Sequence, residues 1–198
     1  MIGLIGGLLL AVTECAAEPL ALTPVPLAQF ERRGKPQWLD FPQQAGCLRW
    51  SDGDTALAVL VDLGALSIPA QINIEVQSSQ DAVLAPDVLV LDDRGGFVAH
   101  HRFDAFSARG AVHRLTLFAN PSDAVPRYLL LQPDPQWLSR TDQRVRGQTF
   151  TAVGVIGPAV VAFNHGVEKQ TQVSYGANGS FRVQWTPYQA RPLNPPKR

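Results

Sequence analysis

The stretch Ala85-Pro86-Asp87-Val88-Leu89-Val90-Leu91-Asp92-Asp93-Arg94-Gly95-Gly96-Phe97-Val98 decides how the chain is read. Pro86 disfavours helical conformation at Ala85. Four consecutive aliphatic residues, Val88 to Leu91, then run between turn residues, and so short an apolar run reads as a strand buried on both faces. Asp92-Asp93-Arg94-Gly95-Gly96 supplies residues that tolerate the positive φ angles of a hairpin loop. The chain turns apolar again at Phe97-Val98-Ala99. This hairpin is expected at the centre of a β-sandwich.

The segments around it agree. Gln71 to Gln77 alternates strictly, with Ile72, Ile74 and Val76 on one face and Asn73, Glu75 and Gln77 on the other, the pattern of a half-buried strand. His113, Leu115 and Leu117 alternate in the same way with Arg114, Thr116 and Phe118. Arg127 to Gln132 reads as a short, nearly all-apolar strand ended by Pro133 and Pro135. Thr55 to Leu63 is a nearly continuous apolar run, either a buried helical turn or a central strand. Ser139 to Gly147, charged and without apolar period, is expected as a surface loop. Gln148 to Val155 is expected as a strand, and Gly157 to Phe163 as a short strand or an irregular apolar plug. Gln170–Tyr175 and Ser180–Thr186 flank Gly176-Ala177-Asn178-Gly179, whose Asn-Gly pair reads as a hairpin turn. Spacing of this kind predicts about eight strands and an all-β fold, a single antiparallel sandwich of jelly-roll-like type.

Composition sets the outer bounds. The 198 residues suit one domain with tails, and 45% hydrophobic content excludes wholesale disorder. Seventeen basic residues balance seventeen acidic ones, so the electrostatic footprint of a nucleic-acid binder is missing. Sixteen prolines and sixteen glycines punctuate the chain at intervals that favour strands over helices.

Ile2 to Val12 is an uncharged apolar run too short to cross a bilayer, followed by Cys15-Ala16-Ala17. An export signal over residues 1–17, cleaved after Ala17, is the natural expectation, although a basic leading region is missing. Lipid attachment at Cys15 is the alternative, against which the large acidic Glu14 weighs. A structural apolar N-terminus is the third. Such a signal implies export, with membrane contact only through this N-terminal segment. Cleavage after Ala17 would leave Cys47 as a lone, buried thiol with no disulfide. Residues 18–37 are expected as an extended, proline-rich leader, 38–187 as the folded domain, and 188–198 as a disordered tail.

Signatures of catalysis are missing: no His-Glu-x-x-His, Gly-x-Ser-x-Gly, Cys-x-x-Cys or phosphate loop occurs. His100 and His101 are adjacent and point to opposite faces of a strand, while His113 and His165 lie elsewhere, so no metal site is expected. Asp92-Asp93 and Asp52-Gly53-Asp54 read as turns that cap their own backbone rather than as calcium oxygens. No cofactor is expected. Sugars stack their apolar faces on exposed indole rings, which turns attention to the tryptophans. Trp185 shares a face with Phe181 and Val183 and is assigned to the core. Trp137, in the loop Pro133-Asp134-Pro135-Gln136-Trp137, is the candidate carbohydrate contact. Trp38 and Trp50 are assigned as anchors of the N-terminal segment.

The segments Ile68-Pro69-Ala70-Gln71-Ile72-Asn73-Ile74-Glu75-Val76 and Leu84-Ala85-Pro86-Asp87-Val88-Leu89-Val90-Leu91-Asp92 resemble the maltose-operon periplasmic protein family. Arg127–Gln132 and Gly179-Ser180-Phe181-Arg182-Val183 extend the resemblance over roughly Trp38 to Thr186. It implies export to the periplasm and a non-enzymatic, accessory association with maltose or maltodextrin transport, without catalytic residues. The partner so implied is a maltodextrin or a transport component. The alternative is a module that binds an envelope protein and no sugar.

Overall fold

The computed structural model describes residues 14–77, 82–121, 124–138, 140–156 and 159–188, with backbone alone for 144–156 and 159–171. In chain order the strands are β1 (Val25–Pro26), β2 (Glu31–Arg32), β3 (Lys35–Pro36), β4 (Leu39–Asp40), β5 (Gly46–Arg49) and β6 (Thr55–Asp62). Then come β7 (Ala70–Gln77), β8 (Ala82–Leu84), β9 (Pro86–Leu91), β10 (Phe97–His101), β11 (Ser107–Arg109) and β12 (Val112–Ala119). The last four are β13 (Tyr128–Pro133), β14 (Thr141–Ile156), β15 (Ala159–Gly176) and β16 (Ser180–Pro187). The one α-helical stretch among the described residues, α1 (Phe41–Gln44), is a single turn. The fold is all-β, in several sheets.

One sheet runs β1-β6-β13-β9-β10, with β5 also on β6; a second runs β11-β12-β7-β16-β4. A three-stranded sheet, β14-β15-β8, and the small β2–β3 pair complete the set. The first two sheets share one apolar cluster. Val59 and Val61 of β6, Val88 and Val90 of β9, and Leu129 and Leu131 of β13 meet Ile72, Ile74 and Val76 of β7 and Phe181 and Val183 of β16 in it.

The unbroken apolar runs have a physical cause. A second cluster covers the other face of the first sheet: Leu60, Leu91 and Leu130 pack there with Leu22 and Leu48, and Leu89 and Trp50 close around them. Strands β6, β9 and β13 are therefore apolar on both faces, and each fully buried Leu or Val stabilises by about 1.5–3 kcal/mol. The run at Thr55–Leu63 is accordingly a strand. Gly46 leaves room for this cluster, since a Cβ there would lie 2.8 Å from Leu22 Cδ2.

The opening hairpin forms as expected, β9 against β10. It sits at the edge of the sheet, not at its centre, because β13 takes the other side of β9 and, among the described residues, nothing pairs beyond β10. Asp92 Oδ1 accepts the amides of Arg94 (2.9 Å) and Gly96 (2.6 Å), and Gly95 takes φ +79°. Asp92→Ala should therefore lower stability by about 1 kcal/mol in urea unfolding. Asp93→Ala should change it far less; equal effects would show that the loop does not depend on this carboxylate.

Four expectations are corrected. Residues 18–37 are not an extended leader: they form two 3-10 turns and three short strands, and Leu22, Val25 and Phe30 are buried in the two clusters. Thr141–Gly147 is not a loop but the start of the 16-residue β14, which pairs along its length with β15; Gly157 and Pro158, between the two, lie outside the described residues. Gly176–Gly179 does not close a hairpin, because β15 pairs with β14 and β8 whereas β16 pairs with β7 and β4. Cys47 is not a lone thiol: its sulfur is bonded to Cys15. Ala16, next to that cysteine, donates its amide to Cys47 O (2.9 Å) and accepts from Arg49 N (2.8 Å), which draws the segment along β5. A lipid thioether and this disulfide exclude one another at Cys15, and cleavage after Ala17 would remove it. Residues 1–13 and 189–198, which carry the rest of the signal and tail expectations, lie outside the described residues.

Candidate functional site

Alternation in the five-stranded sheet sends Ile72, Ile74 and Val76 to the core and leaves Gln71, Asn73 and Glu75 on the outer face. The register builds three cross-strand rows there. Arg182, Glu75 and Arg114 form one, Gln184, Asn73 and Thr116 the next, and Thr186, Gln71 and Phe118 the third. Glu75 is only 1% exposed, and its two oxygens are shared out: Oε1 accepts Arg114 Nε at 2.6 Å and Oε2 accepts Arg182 Nε. The Arg182 guanidinium also stacks on Trp38, 4.4 Å from the ring centre. Asn73 Oδ1 accepts Thr116 Oγ1 (2.9 Å) and Gln71 Nε2 (3.0 Å). The result is a half-exposed platform of amides, hydroxyl and guanidiniums, held in place by its own hydrogen bonds.

The platform ends at an open edge. Strand β16 pairs with β4 only at Ser180 and Phe181, so Val183 to Pro187 carry no further strand among the described residues. Beside that edge lies a cavity of about 440 Å³ lined by Leu27, Phe30, Glu31, Pro36, Gln184 and Trp185. Trp185 is half-buried, one side packed on the core cluster. Glu31 and Gln184 line the same cavity as Trp185, although alternation along β16 turns Gln184 to the outer face and Trp185 to the core side.

The residues singled out from sequence are placed as follows. Trp137 folds back on the body: it meets Tyr175 edge-on at 4.9 Å and Phe103 at 5.2 Å, and Arg140 stacks on it at 4.9 Å. Cys15 is in the disulfide. Trp38 lies on the platform and Trp50 in the second cluster. His100 pairs with Asp87, which also accepts Gln132 Nε2 (3.2 Å). His101, at the end of β10, has its pKa lowered below the ordinary imidazole value first by burial and then by His100. His113 is buried beside Phe103, and His165 lies outside the described side chains. Asp52 and Asp92 cap their own turns as expected. Among the described residues no three His, Cys, Asp or Glu side chains cluster to hold a metal. No described helix is long and apolar enough to cross a membrane.

The Trp185 cavity was missed from sequence because alternation identifies a face but not whether a sheet edge is covered. Two-residue β4 leaves β16 open, and a strand that short carries no period to find. No known protein family, no curated protein and no solved structure matches the chain.

Proposed function

We propose that the protein is an exported, non-enzymatic β-sandwich module that binds oligosaccharide at the open edge of β16. The observation that carries the reading is a cavity at this edge lined by Trp185 together with the polar residues Glu31 and Gln184. An aromatic ring takes the apolar face of a sugar while such polar neighbours take its hydroxyls. The adjoining rows of amide, hydroxyl and guanidinium groups extend the same chemistry across the sheet for a longer chain. The disulfide supports an oxidising compartment such as the periplasm, with any processing upstream of Cys15 rather than after Ala17. The resemblance to the maltose-operon proteins supports maltodextrin as the first ligand class to try, in an accessory role to transport.

Titration calorimetry with maltodextrins tests it. The wild-type chain should give saturable heat. Trp185→Ala should weaken binding at least tenfold and Gln184→Ala several-fold, while Trp137→Ala leaves it unchanged. Silence from the wild-type protein across a series of chain lengths removes the carbohydrate reading.

A further inference from the structure

The opposite side of the molecule carries a second opening. Strand β12 is paired by β11 only over Val112–Arg114, so among the described residues nothing pairs with Leu115–Ala119 on the side away from β7. Strand β10 ends the other large sheet in the same condition. Between these two open edges lies a cleft of about 660 Å³. Ile72 and Val90, one from each sheet, line it together with Ala99 and Leu117. Phe97 and Phe118 also line it and are each 65% exposed. Exposed apolar residues gathered about a concavity are characteristic of interaction sites.

Two features define the occupant. Among the described residues no Asp, Glu, Lys or Arg lines the cleft, and burial lowers the pKa of His101, which also lines it, so a charged group would lose its water without gaining a counter-charge from them. The strand edges add a second demand. Alternate residues of an unpaired edge present N–H and C=O groups outward, and a wholly apolar molecule laid over them would leave those groups unsatisfied at about 1–3 kcal/mol each. An extended peptide answers them with its own backbone.

We propose that the cleft takes an extended, uncharged polypeptide segment from a partner protein. It would add as a strand to Leu115–Ala119, span about five residues or ~17 Å, and turn alternate apolar side chains toward Ile72 and Val90. This goes beyond the carbohydrate reading and uses the other edge of the sheet, so either can fail alone.

The test is selection of a display library of random ten-residue peptides on the full chain, followed by synthesis of the enriched peptides. Enriched peptides should carry apolar residues at alternate positions and lose at least tenfold in affinity for a Phe97→Glu/Phe118→Glu double variant. N-methylation of alternate backbone amides should abolish binding in one register and spare it in the other, and amide exchange in Leu115–Ala119 should slow in the complex. Should the double variant lose its fold, the N-methylation arm, which leaves the protein untouched, still decides. The proposal is overturned by any of three results: no peptide is enriched; enriched peptides are indifferent to both methylation registers; or decanoate, used as an acyl probe, saturates the cleft while peptides do not compete with it.

Discussion

Replacing Cys47 by serine should lower the free energy of unfolding by about 3–4 kcal/mol, the value that loop-closure entropy assigns to a cross-link between residues 32 apart. The bond ties Glu14–Ala17 to β5, beneath which Leu22 and Leu48 cover the outer face of the first sheet. Its loss also frees the two backbone hydrogen bonds of Ala16 to compete with water. Cys15→Ser should match Cys47→Ser, and the double variant should be no worse than either, since all three remove the same constraint. Urea unfolding of oxidised wild type against the three variants reads the difference. A reductant should bring wild type down to the variants and leave those unchanged. Two titratable thiols in the purified chain, or a loss below about 1 kcal/mol, would show that the cross-link is absent or idle.

Glu75→Ala should cost about 2–3 kcal/mol. Breaking a fully buried ion pair from one side costs about 3–5 kcal/mol, because the remaining charge is stranded. Here the stranded charges are Arg114 and Arg182, whose side chains are 36% and 23% exposed, so water reclaims part of that cost. Arg114→Met and Arg182→Met should each cost less, since Glu75 keeps one partner in either variant. Replacing all three together by apolar residues should recover most of the loss. The measurement is the same unfolding series, read as a cycle. If Glu75→Ala were no more damaging than the single arginine variants, the carboxylate would not be the hub of the network.

Much of the fold was legible in the chain. Strands β7, β12 and β16 each bury one face, so their alternation named the right residues for the core and for the outer surface. The double-sided burial of β9 was readable from Val88–Leu91, although what covers its second face came from segments with no period. Pro19 to Phe30 reaches both clusters through single residues spaced by turns, which hydropathy cannot distinguish from a linker. The second half of β14 was legible at Gln148–Val155, but its first half was not: Thr141–Gly147 is specified by backbone pairing with β15 and has no apolar stripe. The Asn-Gly signal at Asn178-Gly179 marked a change of direction correctly, but turn chemistry does not say which strand the chain joins next. The disulfide was hidden by the expectation that Cys15 leaves with a signal. As for the tryptophans, Trp137 sits in a loop yet packs inward, whereas Trp185, assigned to the core from its alternation, is half-buried in a strand whose neighbour stops short.

The short parallel pairing of β8 with the end of β15, Ala82–Leu84 against Ser174–Gly176, joins strands that then part company. One continues into β9 of the first sheet and the other into β16 of the second. The long β14–β15 arm is thus rooted at the seam where the two layers are stitched together. Tension along that arm would run parallel to the strands at its root, so the bonds there would bear the load in shear, together rather than one by one. A pull at the far end of the arm would be felt by both layers at once, making this root a mechanical anchor as well as a crossover.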